Sequence, residues 1–180
     1  LYLGAGGLVS ANAEQSSEAL VEVLKGGGHV VFISHASTES DYADQIDAVM
    51  GECLTQRTLS EASWQEAKAI GEAFRALEIP IGEVMSSEYC RAWQTADLVF
   101  GTYEKTSNLN FKAVEAYTEE QMAAIAERVT PHLSRPVETG DTVSWSATTP
   151  FDAATGIYPE PMAVTFLLEP LRNGEFHTLG

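Results

Sequence analysis

Apolar positions along the chain fall into a few separate runs, each closed by glycine, proline or small polar residues. The most continuous, from His29 to Thr38, is β-branched and aromatic until it stops at Ser34-His35-Ala36-Ser37-Thr38. An unbroken apolar run of this length predicts a strand buried on both faces. Before it, Leu20, Val21, Val23 and Leu24 behind Ser16-Ser17 predict a helix over 16–25, ended by Gly26-Gly27-Gly28. Residues 41–50 allow a helical turn or two with Asp41 as cap. Ser60 then caps a longer helix whose apolar face is Trp64, Ala67, Ile70, Gly71, Phe74 and Leu77, closed near Pro80.

A second strand is predicted over 83–87, with a helix from Tyr89 to Phe100 directly behind it and Gly101 as its stop. Thr118 and Gln121 make a capping box for a helix over 118–133, and 136–141 is a turn. Strands follow over 142–146, 163–168 and 175–179. Strands alternating with helices predict an α/β domain, a three-layer α/β/α sandwich around a mostly parallel sheet. No repeat or low-complexity tract interrupts it.

Two positions stand out chemically. His35 falls just past the carboxyl end of the first strand, where open α/β sheets bind ligands. It is a nucleophile or base there, or simply a residue that caps the strand. Arg91 falls in the first turn of the helix behind the second strand. Cations are disfavoured at a helix N-terminus, whose free N–H groups attract anions, so an arginine there suggests an anion to hold. The competing reading pairs it with one of the 26 carboxylates.

Composition narrows the field. At 180 residues and 44% hydrophobic, the chain is one packed domain that buries about 70% of its unfolded surface. A formal charge of −16 opposes binding to nucleic acid or an anionic membrane. Residues 1–13 form an apolar, glycine-rich arm ending in Ser10-Ala11-Asn12-Ala13, a small-x-small pattern of signal-peptidase sites. The arm is read as a signal-peptide remnant of an exported protein, or as a retained segment able to add a strand to a neighbour's sheet. The domain proper is 14–180. No stretch reaches the ~20 apolar residues of a membrane helix. Two cysteines, Cys53 and Cys90, permit one disulfide in an oxidising compartment, or two buried thiols.

Taken in order, His35-Ala36-Ser37-Thr38, Gln56-Arg57-Thr58-Leu59-Ser60, Ile79-Pro80-Ile81-Gly82-Glu83-Val84, Ser86-Ser87-Glu88-Tyr89-Cys90-Arg91-Ala92-Trp93-Gln94-Thr95-Ala96 and Gly140-Asp141-Thr142-Val143 form a set. The set resembles the histidine phosphatase superfamily, the phosphoglycerate-mutase-like proteins, in their small exported bacterial branch. That family holds phosphate between two arginines and two histidines, one histidine attacking phosphorus and an acidic residue protonating the leaving oxygen. The resemblance implies His35 as nucleophile and Arg91 as phosphate clamp. Thr38, Arg57 and Ser87, in the same blocks, become candidate binding residues, and Glu115 a candidate acid.

Two positions depart from the pattern. Ser34 stands where the signature arginine belongs, and Ala147 where the second histidine belongs. Ser63 replaces a common glycine, and His132 and His177 lie elsewhere in the sequence. Phosphoryl transfer depends on positioning and charge stabilisation, and each lost stabiliser costs about 10²–10³ in rate. The resulting expectation is a pseudoenzyme with a structural, assembly or binding role. Two alternatives stay open: a phosphomonoesterase working through a phosphohistidine at His35, and a phosphate-type anion site without turnover. Partners are a second copy through the arm, another protein, or such an anion. No cofactor is implied, and the scattered histidines and cysteines lack metal-ligand spacing.

Overall fold

A computed structural model describes residues 18–39, 48–111, 116–146, 148–161 and 164–179. Residues 1–17, with the apolar arm, and residues 41–47 of the helical turn expected over 41–50 lie outside them, and 48–50 lead into a turn without helix.

All five residues of β1 (Val30–Ser34) are buried. Successive strand side chains point to opposite faces, so the continuous apolar run serves two cores. Val30 and Phe32 pack with Met85, Leu109, Ile125, Val129, Leu133, Phe151 and Leu168 on one face. Val31 and Ile33 pack with Ala67, Val84, Ala96, Val99 and Leu167 on the other. Phe151 stacks on Phe32 and Phe166 at centroid distances of 4.4 and 4.5 Å.

The elements follow the order α1 (18–26), β1, α2 (Glu61–Ala76), β2 (Ile81–Ser86), α3 (Cys90–Phe100), β3 (Glu104–Lys105), α4 (Glu119–Leu133), β4 (Asp141–Ser146), α5 (Thr148–Thr155), β5 (Thr165–Pro170) and β6 (Phe176–Thr178). The six strands form one sheet in the order β3-β2-β4-β1-β5-β6. Helices α4 and α5 cover one face, and α1, α2 and α3 the other. The sheet is mixed. Pairings β2–β3, β2–β4 and β1–β4 are parallel, whereas β1–β5 and β5–β6 are antiparallel. The expectation of a mostly parallel sheet therefore describes only one side of β1. The short β5–β6 connection allows a hairpin, whereas a parallel return needs a crossover of a dozen residues or more.

Local signals account for the boundaries. Ser60 Oγ accepts from Ser63 N–H at the start of α2, and Thr118 and Gln121 close a capping box on α4. Gly101 ends α3 at φ 75°, the left-handed conformation that glycine adopts without strain. In α2 the buried stripe is Ser63, Ala67 and Gly71, four residues apart. Trp64 lies one position, about 100°, to the side of it and remains 44% exposed. Gly71 lets α2 approach α3 closely: a Cβ there would sit 2.3 Å from Val99 O. Two elements carried no readable pattern. β3 has two residues, and α5, Thr-Thr-Pro-Phe-Asp-Ala-Ala-Thr, has no long apolar stripe.

Candidate functional site

The parallel strands end together. Ile33 of β1 pairs with Trp145 of β4, Trp145 with Ser86 of β2, and Ser86 with Lys105 of β3. His35 and Ser87 therefore leave the sheet at the same carboxyl edge, the edge at which α/β sheets bind ligands. His35 is 6% exposed. Its Nδ1 lies 2.9 Å from Ala36 O. A carbonyl only accepts, so this contact assigns the hydrogen to Nδ1 and leaves the lone pair on Nε2.

The loop after His35 is fastened by the segment preceding α2. Thr38 and Leu59 form an antiparallel bridge, and Glu39 N–H donates to Thr58 O at 3.2 Å. Ser37 O accepts from Ser60 N–H at 3.3 Å and from the Ser63 hydroxyl at 2.5 Å. Arg57 Nη2 donates to Thr38 Oγ1. Ser63, read from sequence only as a departure from glycine, is thus a tie between α2 and the loop beyond His35.

The β2–α3 junction is held more tightly still. Ser87 is buried, and its hydroxyl accepts from Tyr89 N–H at 3.1 Å. Glu88 and Asn110 bond reciprocally, Glu88 N–H to Oδ1 at 2.8 Å and Nδ2 to Glu88 Oε2 at 2.6 Å. Tyr89 stacks on Phe111 at 4.3 Å and donates its hydroxyl to Phe111 O at 3.1 Å. The Arg91 guanidinium carbon lies 5.1 and 5.2 Å from these two ring centroids, and the residue is 3% exposed. A buried guanidinium set against aromatic faces is a fixed positive charge. Cys53 and Cys90 are joined by a disulfide. Gln56, fully buried, accepts from Cys90 N–H at 2.8 Å and donates to Val49 O at 2.9 Å.

His35, Thr38, Arg57, Ser87 and Arg91 therefore all belong to the loops and the helix start at one edge. Ser34, the last residue of β1, is 1% exposed and directs its hydroxyl at Val164 O, 3.5 Å away. Ala147 and Glu115 lie outside the described residues. His132 is in the last turn of α4 against Asn108, 3.1 Å away. Its pKa is lowered by burial and then by Arg135, against an opposing pull from Glu83. His177 is on the edge strand β6. Sequence reasoning quoted Gln56 and Tyr89 in the resembling blocks without giving them a role, and it missed Asn110 and Phe111; all four contact the site's backbone or its arginine. A lone buried amide has no periodicity, so nothing in the pattern assigned Gln56 a role. Among the described residues no three histidine, cysteine, aspartate or glutamate side chains gather to hold a metal, and no helix is long and apolar enough to cross a membrane.

The arrangement defines a class: a three-layer α/β domain with a histidine and a buried arginine at the carboxyl edge of its parallel strands. Its fold is that of the histidine phosphatases. The chain is similar to the protein histidine phosphatase SixA complexed with tungstate (13% identity, 83% of this chain and 93% of that one, TM-score 0.56). It is also similar to the phosphoserine phosphatase of Entamoeba histolytica (12%, 84% and 95%, TM-score 0.61) and to a mycobacterial glucosyl-3-phosphoglycerate phosphatase (12%, 84% and 97%, TM-score 0.61). No family model and no curated protein matches the chain by sequence. At these identities the likeness is one of fold.

Proposed function

We propose that this protein is an exported, histidine-phosphatase-like domain that holds a phosphate-type anion at Arg91 and His35 and does not turn it over efficiently. Ser34 carries the reading. A neutral, buried serine occupies the last position of β1, facing a backbone carbonyl. No cation enters from there to neutralise the equatorial oxygens of a phosphoryl group. The sequence adds Ala147 at the place of the second histidine, so two stabilisers are missing together. The disulfide fits an oxidising compartment. Assembly through residues 1–13 belongs to the same proposal. Light scattering on the chain with and without them tests it, and an unchanged monomer overturns it.

One observation favours a second reading. The Nδ1 contact to Ala36 O leaves His35 Nε2 with the lone pair, as a phosphohistidine-forming enzyme requires. The Nε2 lone pair would attack phosphorus as the ester oxygen departs with its electron pair and takes up a proton, and water would then release phosphate. The two readings separate on hydrolysis of p-nitrophenyl phosphate between pH 4 and 8, measured beside inorganic phosphate and tungstate binding by calorimetry. Binding without hydrolysis is expected. Hydrolysis that His35→Ala abolishes would make the protein a working phosphomonoesterase.

A further inference from the structure

Residue 90 is gripped twice. Its Sγ is bonded to Cys53 and its N–H is held by Gln56 Oε1, and both partners come from the one short segment 53–57. That segment continues into Arg57, whose guanidinium holds Thr38 on the loop beyond His35. Residue 90 is also the first of α3, so its placement sets the backbone from which Arg91 projects alongside the stacked rings of Tyr89 and Phe111. Gln56 is the hinge of the arrangement. Its amide is fully buried, with its acceptor on the helix and its donor on Val49 O of its own loop.

We infer that Gln56 is a positioning residue for the anion site: it fixes the first turn of α3 and, through it, the guanidinium of Arg91. The inference rests on the anion-binding reading above for its consequence, though its geometry does not. A helix of this fold could hold residue 90 by the disulfide alone. The disulfide fixes only the side chain, however, and leaves rotation about its five bonds. The hydrogen bond to the backbone N–H limits that freedom, because it fixes the peptide plane between Tyr89 and Cys90 at the start of the helix that carries Arg91. Gln56 also neutralises a free N–H of α3 without adding charge, so the positive end of the helix still faces the anion. Glutamate at this position would keep the acceptor for Cys90 N–H, lose the donor to Val49 O and bring a carboxyl group to the first turn of α3.

The test compares oxidised wild type with Gln56→Ala and Gln56→Glu by three readouts. These are exchange of the Cys90 amide, the Nε–H resonance of Arg91, and the dissociation constant for tungstate. Gln56→Ala is expected to speed exchange at Cys90, to move the Arg91 resonance, and to weaken tungstate binding by about tenfold, the worth of one lost hydrogen bond. Gln56→Glu is expected to restore slow exchange at Cys90 yet bind tungstate as weakly as Gln56→Ala, or more so. A folded Gln56→Ala with Cys90 exchange and the Arg91 resonance unchanged overturns the inference. Where wild type binds no tungstate, the anion reading fails, while exchange and the Arg91 resonance still decide the positioning role. If Gln56→Ala does not fold, Gln56→Leu, which fills more of the volume and likewise has no acceptor for Cys90 N–H, gives the same decision through Cys90 exchange and the Arg91 resonance.

Discussion

Two places on one sheet edge have been treated in opposite ways. At the start of α3, a single buried arginine is surrounded by a disulfide, a buried amide, two stacked rings and a reciprocal glutamate–asparagine pair. At the end of β1, two strands away in the sheet, a small neutral serine makes one long contact to a carbonyl. The difference teaches that a site is read by what its surroundings constrain. Many independent contacts converge on the turn that carries Arg91, whereas the side chain of Ser34 makes a single long contact. On the proposed reading, one half of a phosphate cradle is kept in register while the other half is absent.

The comparison can be broken or sharpened by substitution. The largest effect is expected from Cys53→Ala/Cys90→Ala. Cross-linking residues 37 apart restricts the unfolded chain, and removing the bridge costs about 2–5 kcal/mol, read from the urea midpoint. A loss below 1 kcal/mol would mean the junction is held without it. Next comes Ser63→Ala, which deletes the hydroxyl bond to Ser37 O and loosens the loop beyond His35. About 1 kcal/mol is expected, since Ser60 N–H still reaches the same oxygen. Ser34→Ala lies at the other extreme, with a change of no more than about 0.5 kcal/mol because a 3.5 Å contact is at the limit of a hydrogen bond. A larger loss would put Ser34 among the held residues and dissolve the contrast.

The smallest effect is on pH dependence, away from the site. His132 has a folded pKa below its ordinary 6.5, from burial and from Arg135. The unfolded chain then binds more protons between the two values, so stability falls as pH drops below about 6.5. His132→Gln is expected to flatten that part of the melting-temperature profile. An identical slope in the variant would show that other groups set it.

How much of this the sequence disclosed depends on the kind of interaction. β1, β2, α2, α3 and α4 were legible because burial imposes a period and the caps use recognisable residues: Ser60, Gly101, Thr118 with Gln121. His35 and Arg91 were legible from where they stand at the ends of those elements. The antiparallel β5–β6 edge was not, because strand direction depends on the connection taken in space and not on the strand's own pattern. Trp64 was assigned to the buried face of α2, but the stripe is centred on the small residues 63, 67 and 71 that admit α3. Gln56 stood in one of the resembling blocks, yet its role could not be read. Its two partners, Val49 O and Cys90 N–H, are backbone groups, and no residue identity marks them.

The central claim is that the scaffold is intact and the chemistry is missing at two positions. It is tested most directly by the rate of p-nitrophenyl phosphate hydrolysis by Ser34→Arg/Ala147→His beside wild type and the same pair on a His35→Ala background. The account predicts negligible turnover in wild type, and a rate in the double variant higher by about 10² or more that disappears when His35 is removed. A wild-type rate already dependent on His35, and not raised by the double substitution, would contradict it.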